Sequence, residues 1–274
     1  MVEQVRSSTR ELPLLDRTGA GAIRLFAPVG GYALFAGRAL VRPFAPPYEG
    51  AEILRHLFQF GFQSAPLIAT AGFAIGVVLS MHTRASLERF GAEAMIPAGL
   101  AIALIRETGP LTAGLLVAGR VGAGIGAELG AMRVSEQIDA LEANAVDAFH
   151  FLVTTRVVAC AVAMPLLTLL MDFAGMLGGY VAESAASAMS WPLYAERSFT
   201  FITYADLLPA TLKTAVFGFL IASVAGYLGF NASGGTEGVG NAATRSVVIA
   251  SILIILSDVL LVRLIFFVYP QGAG

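Results

Sequence analysis

Five stretches of this 274-residue chain are each apolar over about the twenty residues a helix needs to cross the hydrocarbon core of a bilayer. No other feature narrows the fold as much, because in lipid no water satisfies a stray backbone group and such stretches must become helices. They run near Ser64 to Met81, from near Ala94 through Arg106 and onward, from Val157 to about Val181, from Leu207 to Phe230 and from Val247 to Val268. Composition agrees with this reading: 13% of residues are charged, against about 25% in an average globular domain, and the mean hydropathy is +0.76. The expected fold is an all-α integral membrane protein with about five transmembrane helices. The net charge of −2 does not suggest a nucleic acid partner, because in a membrane protein the placement of Arg and Lys is more informative than their balance with Asp and Glu.

Residues 1–62 are expected to form a cytoplasmic N-terminal region with interfacial amphipathic helices, and residues 63–274 the transmembrane domain. The first twenty residues are polar and arginine-bearing, with no compact apolar region before a small-residue cleavage site, so no removable signal peptide is expected. Ile23 to Val41 is apolar but interrupted by Arg24, Pro28 and Arg38, which suits an interfacial segment better than a span. In GAEILRHLFQFGF, Ile53, Leu54, Leu57 and Phe58 share one helical face, and Glu52, Arg55, His56 and Gln59 the other. That pattern predicts a helix lying on the membrane surface. His56 and His82 are expected at headgroup level, and Cys160 as a small buried hydrophobe.

Arginine placement gives the orientation. With the N-terminus inside, the inner segments hold Arg6, Arg10, Arg17, Arg24, Arg38, Arg42, Arg55, Arg120, Arg133, Arg156 and Arg245, while the outer loops hold Arg84, Arg89 and Arg197. The positive-inside rule then favours a cytoplasmic N-terminus and a periplasmic C-terminus. The loop from Ala182 to Ala205 faces outward, with Trp191 and Tyr194 expected as interfacial anchors.

The run from Arg106 to Asp147 carries the most unusual chemistry. An unbroken helix from Ala94 to Gly130 would be about 55 Å long, so it must project from the bilayer or break, and Gly109-Pro110 offers a kink. Arg106 and Glu107 sit about 100° apart on a helix and point to different neighbours. An ionisable residue at membrane depth is a functional candidate by default. The alternative is a buried interhelix ion pair with Asp172, Lys213 or Asp258. Gly114, Ala118, Gly122, Gly126 and Gly130 recur every four residues, the spacing that brings helices close through small side chains, in one chain or between two copies. Beyond them, Val134, Ile138, Leu141 and Ala145 form a narrow apolar stripe beside polar Glu136, Gln137, Asp139 and Glu142. This predicts a short cytoplasmic helix, with Ser135 as its cap.

The segments RETGP, LLVAGRVGAGIGAELGAMRVSEQIDALEANAVD and GGTEGVGNAATRSVV together resemble the MlaE/YrbE permease family, the membrane subunits of bacterial ABC transporters that work with MCE-domain proteins. The resemblance covers about Arg55 to Val268. It implies an inner-membrane permease for phospholipid that pairs with a second copy, identical or a paralogue. It further implies a cytoplasmic ABC ATPase that binds ATP and Mg, a periplasmic MCE-domain protein and, as a further candidate, a small STAS-domain subunit. By position, the coupling helix falls at about 133–147, with Arg133, Glu136, Gln137, Ile138, Asp139, Leu141 and Glu142 meeting the ATPase, and Arg106 and Glu107 on the lipid path. One departure stands out: the family has Pro after the Val-Asp that closes the motif, and here Ala148 follows Asp147.

The residues independently suggest a separate energy subunit. A P-loop needs a glycine-rich turn followed by Lys and then Ser or Thr, and the single lysine, Lys213, has no glycines before it. Neither a resident cofactor nor a metal is expected in this chain. The rival reading is a stand-alone secondary transporter or channel that relays ions through Glu107, Asp172 and Asp258.

Overall fold

The computed structural model describes residues 14–46 and 48–268, with side chains from Ala27 onward except Pro28. The expectations for residues 1–13, including Arg6 and Arg10, lie outside the described residues. Helix α1 (Leu14–Val41) precedes α2 (Gly50–Leu57) and α3 (Ala65–Leu87). The second long run comprises α4 (Ile96–Ala103), α5 (Gly109–Val117) and α6 (Ala123–Val134), and the short α7 (Gln137–Ala143) follows it. Next come α8 (Thr155–Ser187), α9 (Trp191–Phe199), α10 (Tyr204–Phe230) and α11 (Gly235–Val268). Among the described residues five helical runs are long and apolar enough to cross a membrane: Gly50–Phe90, Glu93–Val134, Phe149–Ser187, Tyr204–Phe230 and Gly235–Val268.

Two of these runs depart from the simple picture. The predicted surface helix α2 does not stand apart. It continues through a π-helical turn, Phe58–Phe62, into α3. In the second run the ladder loosens just before Gly109-Pro110, in a π-helical turn at Leu104–Thr108, and again at Ala118–Gly122. Such turns hold one surplus residue, free backbone groups and gather at functional sites.

Helix α8 is the packing centre, lying along α3 on one side and α10 on the other. It reaches α3 through glycine. A Cβ on Gly76 would strike the carbonyl of Gly175, and one on Gly178 would strike the carbonyl of Phe73. The absent side chains let the backbones touch, which suits a bilayer, where no hydrophobic drive holds helices together. The ladder Gly114, Gly122, Gly126 and Gly130 faces Phe217 and Ile221 of α10, and Ser246 and Ala242 of α11.

One buried ion pair crosses the α3–α8 contact near its α9 end. Arg84 Nη2 donates to Glu183 Oε2 at 2.5 Å, and Ser80 Oγ to Glu183 Oε1 at 3.0 Å, with Glu183 almost fully buried. The expected outer loop contains α9, and Tyr194 is not an interfacial anchor. It is fully buried against Leu100, Ala101 and Leu104, with its hydroxyl beside Gly179, because α9 folds down onto α4. That burial pushes the Tyr194 phenol up to about 12. Trp191 stays partly exposed, edge-on to Tyr180.

Candidate transport site and coupling helix

The π-helical turn at Leu104–Thr108 carries both charges of the RETGP segment and aims them at different partners. Arg106 Nη2 pairs with Asp206 at 2.7 Å. Asp206 also accepts from the Thr203 backbone N–H at 3.0 Å and from the Thr203 hydroxyl at 2.9 Å, in the capping box that starts α10. Glu107 accepts from Lys213 Nζ at 3.1 Å, and the same ammonium lies 2.9 Å from Asp258. It also donates to the Arg106 carbonyl at 2.9 Å. The wider turn makes that carbonyl available.

Lys213 thus joins the second, fourth and fifth spans at one point. Its side chain is almost fully buried, whereas that of Glu107 is 46% exposed, so one end of the network opens to the surroundings. Asp172 does not join the ring. Its buried carboxylate lies against Gly109. Among the described residues no group of three or more His, Cys, Asp or Glu side chains could hold a metal ion.

At the other end of the second run, α7 turns back beneath the bundle. Ile138 is fully buried and Leu141 packs against the core, while Glu136, Gln137, Asp139 and Glu142 are exposed. Arg133, in the last turn of α6, donates to Asp139 at 2.5 Å and ties the two helices together. Ser135 does not cap α7: its hydroxyl bonds back to the Ala131 carbonyl of α6 at 2.7 Å. The N-cap is Glu136, at φ 59°, and Ala145 beyond the far end has φ 58°. Two non-glycine residues in the left-handed region each cost about 1–2 kcal/mol, strain that persists only where the surroundings enforce it. Val134 and Ala145 of the expected apolar stripe remain exposed.

The exit from α7 is latched. Asp147 pairs with Arg42 at 2.5 Å and lies 3.6 Å from Arg38, and it accepts from the His150 backbone N–H at 3.0 Å. Arg38 also stacks over Phe149, 4.1 Å from the ring centre. Burial pushes the Asp147 carboxyl up, but the His150 N–H and the two guanidiniums outweigh it and hold the group below the usual carboxylate range. Asp147 itself caps the start of the next helix, and Ala148, at the place where the family pattern usually has Pro, is its first residue.

Comparison with known proteins decides the family. The profile described as Permease MlaE matches residues 53–264. The chain belongs to the MlaE permease family. A probable ABC transporter permease protein of Rickettsia bellii is 37% identical over 255 residues, covering 93% of this chain and 98% of that protein. The intermembrane phospholipid transport system permease protein MlaE of Haemophilus influenzae is 30% identical over 269 residues, 95% and 98% of the two chains. The chloroplastic protein TRIGALACTOSYLDIACYLGLYCEROL 1 of Arabidopsis thaliana is 30% identical over 241 residues, covering 88% and 68%.

Within this MlaE-family chain, sequence reasoning missed Asp206 as the partner of Arg106. The capping pattern Thr203-x-x-Asp206 was the available signal. It also missed the Arg84–Glu183 pair, which no local pattern announces. His56, expected at headgroup level, is buried and stacked on Phe60 at 5.4 Å, because α2 packs against α8.

Proposed function

We propose that this chain is the permease subunit of an ABC transporter that moves phospholipid between the bacterial inner membrane and the periplasm or outer membrane. It works as a pair, with an identical copy or a paralogue, together with a cytoplasmic ATPase that binds ATP and Mg and a periplasmic MCE-domain protein. A small STAS-domain subunit is a further partner. The N-terminus is cytoplasmic and the C-terminus periplasmic. The names of the Haemophilus and Rickettsia relatives support the cargo and the transporter class.

The observation that carries the coupling mechanism is α7, polar on its free side and anchored by Ile138 on the other. ATPase closure pushes on Glu136, Gln137, Asp139 and Glu142. The Arg133–Asp139 bond and the buried Ile138 pass that displacement to α6, and the second run carries it to Arg106 and Glu107. A cavity of about 300 Å³ on the outer half of α3, walled by Ile75, Val78 and Leu79 beside His82, offers an apolar surface for lipid tails between two copies. Glu107, whose side chain is half open, meets the polar headgroup.

Leu141 contributes to the core, so its substitution would confound coupling with folding, whereas the exposed Glu142 does not. Glu142→Arg is expected to lower ATP-driven lipid transfer between proteoliposomes by about tenfold, the loss of 1–2 kcal/mol at a docking contact. The chain itself should remain monodisperse. Unchanged transfer together with unchanged ATPase co-purification would remove α7 from the coupling path.

A further inference from the structure

A second site lies away from the Lys213 network and is built by two of the π-helical turns facing each other. Phe58–Phe62 and Ala118–Gly122, the latter running into α6, flank an open pocket of about 330 Å³. Its polar lining is Arg120, Gln59, Gln63 and Glu128, and its apolar floor includes Phe60 and Ile125. Arg120 is held in place by a neutral partner, donating from Nη1 to Ser64 Oγ at 2.7 Å, so its charge is not cancelled there. Glu128 is matched instead by the buried Arg156, whose Nη2 donates to it at 2.8 Å. Arg156 stands outside the lining, and by neutralising Glu128 it leaves the charge of Arg120 as one net positive charge at the cavity.

Depth identifies the ligand. Arg120 follows Ile96, the start of α4, by about 36 Å of helix, a little more than the roughly 30 Å of hydrocarbon. Its guanidinium therefore stands at headgroup level, in the leaflet at the α7 end. Phe58 and Phe62, exposed and stacked at 5.0 Å, run along the neighbouring face of the same turn, where acyl chains would lie. Gly124 adds no bulk to the lining, and a Cβ there would meet nothing within 4 Å.

We propose that this cavity is a resident site for an anionic glycerophospholipid, with the phosphodiester on Arg120 and the headgroup hydroxyls on Gln59 and Gln63. A guanidinium matches phosphate oxygens in geometry and charge, and a site with one net positive charge favours a monoanionic headgroup over a zwitterionic one. The site is separate from the transported cargo, so it stands or falls independently of the transport reading.

The test is native mass spectrometry of the full chain purified in mild detergent and titrated with phosphatidylglycerol, phosphatidylcholine or inorganic phosphate. Phosphatidylglycerol adducts should exceed phosphatidylcholine adducts on the wild type and on Arg89→Gln, a control at the opposite end. Arg120→Gln should weaken phosphatidylglycerol binding by about tenfold, as for the loss of one charge-assisted hydrogen bond. Gln63→Trp, which fills the cavity from its exposed rim and leaves the Ser64–Arg120 bond intact, should do the same and guards against misfolding of the first variant. Equal binding by wild type and both variants, or equal uptake of the two lipids, overturns the proposal. Displacement of the lipid by millimolar phosphate alone would assign the site to free phosphate. Spontaneous disulfide-linked dimers of Gln63→Cys in membranes would assign it to a second copy of the chain; either outcome also overturns the lipid reading.

Discussion

Single side chains in this protein do more than one job, and Asp147 holds two elements at once. It caps the start of the third span and secures α1 through Arg42 and Arg38. Its folded-state pKa is depressed, so the stability it contributes is fully present above the unfolded value of about 3.9 and is lost as pH falls through the lower folded value. With its side chain about a third exposed, the contribution is about 0.5–1 kcal/mol. Asp147→Asn should therefore lower the thermal midpoint in detergent by a roughly constant amount above pH 5. The difference from the wild type should shrink below pH 4. A difference that persisted at pH 3 would mean that the carboxylate charge is not what holds the latch. At this scale the sequence was only partly legible. Arg106 and Glu107 could be identified as charges out of place, and Lys213 and Asp258 as candidate partners. The pairing of Arg106 with Asp206 could not, since it depends on how α10 lies against the second run.

At the scale of elements, helix and span assignments came from hydropathy, because the bilayer leaves an apolar twenty-residue segment one structural option. Continuity was harder to read. Nothing in FQFGF or LIRET distinguishes a π-helical turn from an α-helical one, so the joining of α2 to α3 and the loosening at Arg106 emerge only from packing. The glycine spacing in α5 and α6 was visible, while the α3–α8 contact was not, because Gly72, Gly76, Gly175 and Gly178 show their purpose only when the two helices are placed together. Gly76→Ala should cost about 1–3 kcal/mol, the usual penalty for overpacking, and lower the thermal midpoint in detergent by several degrees. Gly240→Ala, where a Cβ meets open space, should be neutral or slightly stabilising, since alanine favours the helix by about 0.5–1 kcal/mol. Equal effects from the two would show that α3 and α8 do not meet backbone to backbone.

For the whole molecule, the family was legible in a long motif, and the profile match over residues 53–264 agrees with it. Sidedness can be read directly from cysteine labelling. Cys160 is fully buried and serves as an internal blank. A cysteine at Tyr204, which is 91% exposed at the α9 end, should react in intact spheroplasts with a membrane-impermeant maleimide. One at the exposed Gln137 of α7 should react only after the membrane is opened. The reverse pattern would invert the proposed orientation and place α7 out of reach of ATP.

The glycine contact between α3 and α8 has a mechanical corollary. Helices that interlock through large side chains are indexed at every turn, but two backbones meeting over bare glycine carry no such teeth along that stretch. Met171 and Ala174 seat against Gly72 nearer the other end, and Glu183 adds a polar stop where it grips Arg84 and Ser80. The first and third spans accordingly form a rail with a single electrostatic stop.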